Sequence, residues 1–106
     1  MRILLPLALA TLVATPAFAA APEKVAVCAA CHGADGKSTN PAVYPNLAGQ
    51  YFNYLEHSLK DYRAGARKNP IMGAQAAALT DTEIHELAMY FSAQPGPLYT
   101  PSIPHK

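Results

Sequence analysis

Two cysteines, the only ones in the chain, stand three positions apart and are followed at once by a histidine: Cys28-Ala29-Ala30-Cys31-His32. This spacing reads as a covalent c-type haem attachment site. Each thiol adds to a vinyl group on one edge of the porphyrin. Two intervening residues let the backbone turn once, so both sulfurs reach neighbouring vinyls. The same turn puts His32 beneath the ring, where its imidazole can ligate iron. A fold built on this pentapeptide must supply walls for a large flat cofactor.

Three other readings of the same residues remain to be weighed. A Cys-x-x-Cys redox centre normally sits beside a βαβ pattern, and no strand-like alternation stands out here. The polar stretch Gly33-Ala34-Asp35-Gly36-Lys37 follows instead. A structural zinc site wants four Cys or His ligands in paired clusters, whereas the other histidines stand singly at 57, 85 and 105. A structural disulfide between these cysteines would close too small a loop to constrain much chain.

The 106 residues are read as one domain at most. Residues 1–19 read as a secretory signal peptide: Met1-Arg2 is a short positive start, Ile3 to Val13 is apolar, and Ala17-Phe18-Ala19 has the small-x-small pattern of a cleavage site. Pro6, Thr11, Thr15 and Pro16 interrupt the stretch, and a membrane span needs about 20 predominantly apolar residues. Cleavage before Ala20 leaves about 87 residues, a size at which a single core is only marginally stabilising. A covalently held haem would supply the missing apolar surface. The formal net charge of +1 falls to about zero once Arg2 is lost, and a nucleic-acid binder would be strongly basic. That class is set aside.

Along the expected domain, 20–94, residues 22–31 favour a short helix, with Pro22 in its first turn and Glu23 at its positive end. Residues 37–46 read as an irregular loop able to wrap the histidine side of the haem. A metal-bound histidine normally gives its second ring N–H to a carbonyl or carboxylate, and the Pro45 carbonyl is the candidate acceptor. A second helix is expected from Gln50 to Tyr62, with Tyr51, Leu55, Leu59 and Tyr62 as its buried stripe. His57 on that helix reads as a surface residue. Gly65 ends it, and residues 66–73 read as a connecting loop.

Met72 lies in that loop beside Gly73. A thioether is a soft, neutral ligand that raises the reduction potential of a haem iron. Met72 is therefore the candidate sixth ligand, while Met89 is expected to pack on or flank the core. Arg67 could pair with a haem propionate. The last helix opens with a capping box, Thr80-Asp81-Thr82-Glu83, and Ile84, Leu87, Ala88 and Phe91 form its buried stripe. Gln94-Pro95-Gly96-Pro97 stops it, and a Pro-rich tail, 95–106, is expected to be poorly ordered.

With these residues in view, the chain resembles a class I c-type cytochrome, in particular one domain of the bacterial cytochrome c4 and c-553 group. The resemblance covers nearly all of residues 22–94. It is carried by Cys-Ala-Ala-Cys-His-Gly at 28–33, Tyr-Pro-Asn-Leu-Ala-Gly-Gln at 44–50, Asn-Pro-Ile-Met at 69–72, and Leu-Thr-Asp-Thr-Glu-Ile with Leu-Ala-Met-Tyr-Phe between 79 and 91. It implies an all-α cytochrome c fold, three to four short helices wrapped around one covalent haem c, with the first and last helices crossing. It also implies thioethers at Cys28 and Cys31, axial ligation by His32 and Met72, support of His32 by Pro45, and haem attachment outside the cytoplasm. Cytochrome c4 proteins carry two such domains, whereas this chain has one Cys-x-x-Cys-His.

The expected function is a periplasmic, monohaem one-electron carrier rather than an enzyme, with no membrane span once the leader is cleaved. Redox donor and acceptor proteins would dock transiently at the haem edge, over a rim formed by Ala29, Ala34 and Gly73. The alternative is a cytochrome subunit of a larger dehydrogenase or oxidase complex. A haem enzyme or gas sensor would require an open iron position.

Overall fold

The computed structural model describes residues 21–101. Among them are four α-helices, α1 (Val25–His32), α2 (Phe52–Ala64), α3 (Pro70–Ala77) and α4 (Asp81–Ala93), with a 3-10 turn at Ala34–Gly36 and no strand. The expected signal peptide and the last five residues of the expected tail lie outside the described residues.

The core forms where α1, α2 and α4 meet. Val25, Leu55, Leu87, Ala88 and Phe91 make one buried cluster, edged by Cys28, Leu47, Phe52, Leu59, Leu79 and Tyr90. Ile84, Leu87, Ala88 and Phe91 of α4 are all buried, as their spacing requires. Each of the larger side chains contributes about 1.5–3 kcal/mol by leaving water. Thr80 caps α4 by accepting from the Glu83 N–H at 3.1 Å. The Glu83 carboxylate reaches back to Thr80, accepting its hydroxyl at 3.2 Å, and pairs with Lys24 of the α1 approach. Arg63 joins the end of α2 to the start of α4, donating to the Leu79 carbonyl at 3.1 Å and to Asp81.

Four expectations are corrected. The first helix begins at Val25, because the Val25 N–H bonds the Pro22 carbonyl at 3.0 Å and closes a turn ahead of it. The second helix begins at Phe52, two residues late; Tyr51 is its N-cap and lies exposed, off the stripe that Leu55 leads. Residues 70–77 form a helix, so Met72 is helical rather than in a loop. Asn69 caps it, its side chain accepting from the Ile71 and Met72 N–H groups at 3.0 Å each, with Pro70 at the first helical position. Met89 faces outward and is 55 % exposed.

The expected disorder of the tail is also corrected for residues 95–101, which return across the 48–51 segment. Thr100 donates its hydroxyl to the Gly49 carbonyl at 2.9 Å, and Tyr51 donates its hydroxyl to the Pro101 carbonyl at 2.7 Å.

Candidate haem site

The last turn of α1 presents Cys28, Cys31 and His32 together. Cys28 is half-buried against the core, and burial pushes its thiol above the ordinary value; Cys31 is exposed, and both thiols are free. His32 is the buried polar side chain among the described residues. A buried polar atom left without a partner costs about 1–3 kcal/mol. The Nδ1 of His32 finds one in the Pro45 carbonyl at 2.7 Å. A carbonyl can only accept, so Nδ1 carries the proton and the lone pair of Nε2 is left for a metal. Tyr44 stands edge-on to the imidazole, ring centres 6.3 Å apart.

What holds Pro45 in that place is a hydrogen-bonded loop. The Asn46 side chain accepts from the Ser38 N–H at 2.7 Å, and the Leu47 and Ala48 N–H groups both donate to the Gly36 carbonyl at 2.9 and 3.2 Å. Gly36 has φ +79°, and a Cβ there would lie 2.9 Å from Ala48 N, Leu47 Cβ and Phe91 Cδ1. No side chain fits. Asn46 belongs to the 44–50 motif but has no role assigned from the sequence; the signal for one is an Asn inside a Pro-containing turn, where its side chain can replace a backbone acceptor.

These groups open onto a cavity of about 510 Å³, within the range of cofactor and ligand sites. Cys28, Cys31, His32 and Pro45 line one part of it, and Met72 lines another from the first turn of α3. Leu55, Leu59, Leu87, Ala88 and Phe91 supply apolar floor. Gln75, one turn beyond Met72 on α3, also faces the cavity and carries no mark in the sequence.

Arg67 is the charged side chain among the cavity-lining residues. Its guanidinium donates to the Tyr54 hydroxyl at 3.3 Å and the Ser58 hydroxyl at 3.2 Å, and lies over the Tyr62 ring at 4.9 Å from its centre. Donation from Arg67 holds the Tyr54 hydroxyl below its ordinary pKa, and the same contact raises that of Arg67. Both hydroxyl partners are neutral, so the positive charge at the cavity wall is not offset by them.

Other candidates fall elsewhere. His57 is exposed and pairs with Asp61 on its own helix at 3.2 Å. Met89 does not reach the cavity. Nor do Ala29, Ala34 and Gly73; the exposed apolar residues bordering it are Val27, Val43 and Ile71. No three His, Cys, Asp or Glu side chains cluster as a metal cage among the described residues, and no described helix is long and apolar enough to cross a membrane.

The residues present fit a covalently held haem. Two thiols, an imidazole with one nitrogen committed to a carbonyl, a thioether and a largely apolar cavity meet in one place. That donor set, soft sulfur with imidazole, suits iron in a porphyrin.

The cytochrome c family profile matches residues 19–94, and the chain belongs to that family. Its members carry electrons on covalently bound haem c, and Cys28, Cys31 and His32 fit the attachment motif. The chain is 46% identical over 79 residues to cytochrome c-554(548) of Halomonas halodenitrificans, covering 72% of this chain and 94% of that one. It is 47% identical over 70 residues to a thiosulfate dehydrogenase electron acceptor of Stutzerimonas stutzeri, covering 66% of this chain but 32% of that longer protein. Among solved structures, cytochrome c4 of Acidithiobacillus ferrooxidans superposes with a TM-score of 0.58 at 35% identity, covering 62% of this chain and 38% of the other.

Proposed function

We propose that this chain is an exported monohaem carrier of single electrons, with Cys28 and Cys31 as thioether anchors and His32 and Met72 as axial ligands. The observation that supports this is the meeting of all four residues at one cavity. When bound, the haem supplies a one-electron ferric/ferrous couple. The protein's own part is to keep the surroundings the same in both states. The Pro45 carbonyl holds the Nδ1 proton and so fixes the ring orientation of His32. Asn69 pins the backbone N–H of Met72 and fixes the start of α3. Leu55, Leu59 and Phe91 line the cavity and would keep water from a bound haem, and Arg67 would have unused N–H groups to offer a propionate. Were His32 and Met72 both to ligate the iron, no position would be left for a substrate.

The ferric spectrum of the purified holoprotein tests the ligand set. A low-spin spectrum with a weak red-edge sulfur-to-iron band, lost in Met72→Ala, is expected. A high-spin wild type, or a band surviving the substitution, removes Met72 from the set. Mass spectrometry of the exported protein should find one covalent haem and a new N-terminus at Ala20; an intact Met1 would remove the signal peptide over 1–19. Residues 20–94 then form the haem domain, in the periplasm.

A second reading is favoured by the relative named as an electron acceptor of thiosulfate dehydrogenase. In it the chain works docked to a dehydrogenase. Co-elution with a large partner on gel filtration would favour that reading, and elution as a free small protein would favour the diffusible carrier.

A further inference from the structure

We infer that residues 95–101 form a strap that positions the Pro45 carbonyl against His32, with Tyr51 and Thr100 as its positioning residues. The inference rests on the reading of His32 as an axial ligand.

Ala48 is fully buried although it lies in irregular chain. Gly36 covers it from one side, its carbonyl accepting from the Leu47 and Ala48 N–H groups. Gly96 of the strap covers it from the other. A Cβ at Gly96 would lie 2.6 Å from Ala48 Cβ and 2.8 Å from its carbonyl oxygen, closer than any side chain permits. Gly49 is held at both ends: its N–H donates to the Phe91 carbonyl at 3.1 Å, and its own carbonyl accepts the Thr100 hydroxyl. Tyr51 then fastens Pro101. Segment 48–51 is thus clasped between the turn after the haem motif and the strap.

Both ends of the His32–Pro45 bond lead to this clasp through very little chain. Gly36 is the end of the turn that follows His32, and Ala48 lies just after Pro45. Only Asn46 and Leu47 separate Pro45 from Ala48, and both are tied down, Asn46 to the Ser38 N–H and Leu47 to the Gly36 carbonyl, which leaves little slack to absorb a shift. Loosening the strap therefore lengthens the Nδ1–H···O contact. Pro95, Pro97 and Pro101 limit the freedom of the strap before it docks, so little further ordering is needed. A weaker bond to Pro45 makes the imidazole a poorer donor to ferric iron and raises the reduction potential.

The test uses the full-length holoprotein carrying Tyr51→Phe, Thr100→Val, or both, with Tyr99→Ser as the control, because Tyr99 is 88 % exposed within the strap. Exchange of the His32 ring N–H is followed by NMR in the reduced protein, and the reduction potential is measured alongside. Loss of a hydrogen bond of ordinary strength corresponds to about a tenfold change in an equilibrium, so the double variant should show ring-proton protection about tenfold lower and a raised potential. Each single variant should show part of the change and the control none. A double variant that melts earlier while its potential and ring-proton exchange match wild type would overturn the strap as a positioning device. Should the double variant yield no holoprotein, the single variants decide the question by the same two readouts. A wild type with no protected ring proton would instead overturn the underlying reading of His32, and the strap with it.

Discussion

The wall that carries His32 and the wall that carries Met72 are held in different ways. Around His32 the bonds are non-local: Pro45 to the imidazole, Asn46 to Ser38, Leu47 and Ala48 to Gly36, and Gly49 to Phe91. Around Met72 they are mostly local. Asn69 caps α3, the Gly73 N–H returns to the Asn69 carbonyl at 2.7 Å, and Ala76 is the buried anchor of the helix. By hydrogen bonding the histidine wall is tied to distant chain, whereas the methionine wall rests on its own cap and on the packing of α3 against α2, so the methionine side is expected to yield first.

The largest effect should come from removing the cofactor's attachment altogether. With Cys28→Ala and Cys31→Ala combined, no covalent haem should be found by mass spectrometry, and helical circular dichroism should fall steeply, because the cavity then lacks its filling. The comparison itself is broken or kept by His32→Ala against Met72→Ala. The methionine variant should retain covalent haem, lose the red-edge band and have a lower potential, whereas the histidine variant should lose stable holoprotein. Equal losses in the two would break it.

Smaller changes sharpen it. Asn46→Ala leaves the part-buried Ser38 N–H without its acceptor, an expected cost of about 1–3 kcal/mol, read by thermal melting and by exchange at His32. Asn69→Ala removes a helix cap, about 1 kcal/mol, and should speed amide exchange over 70–77 while leaving the His32 side unchanged. Acid should act on the ion pairs of α2 and α4. Donation from Arg63 holds the Asp81 carboxyl below its ordinary value, and donation from Lys60 does the same for Glu56. A depressed folded-state pKa gives stability that is complete above the unfolded value and lost as pH falls through the folded one. Acid titration should therefore loosen the Arg63–Asp81 tie between α2 and α4, and the Glu56–Lys60 pair within α2, as pH falls below the usual carboxylate range. The smallest effect belongs to Met89→Ala, within about 0.5 kcal/mol, since the side chain is mostly exposed.

Much of the fold is legible in the sequence because its signals are local and redundant. Thr80 and the stripe from Ile84 to Phe91 specify α4 together, and Gly65 marks the end of α2. α3 escapes notice although Asn69-Pro70 is a cap followed by a proline suited to the first helical turn, because Gly73 beside Met72 suggests a loop. The position does not need a glycine: a Cβ at Gly73 would meet only the Tyr62 carbonyl, at 3.9 Å in ordinary contact, so the helix runs through it. Tyr51 falls wrongly into the buried stripe because periodicity alone does not say which member precedes the first helical residue. The tail reads as disordered because its prolines and exposed Tyr99 resemble an unfastened segment, and its partners sit some fifty residues earlier.

The sequence by itself determined the chemistry: two thiols and an imidazole at fixed offsets, on one helical turn, leave few alternatives to a covalent haem and need no distant partner to be recognised. Only the tertiary structure decided which other residues share that cavity. Met72, Arg67 and Gln75 reach it through the packing of α3 and its connection against α2, and the strap reaches Gly49 by chain reversal. Such contacts arise from the closure of long loops; Met72 and Arg67 could be nominated from their chemistry, but Gln75 and the strap carry no mark in composition or spacing until packing brings them together.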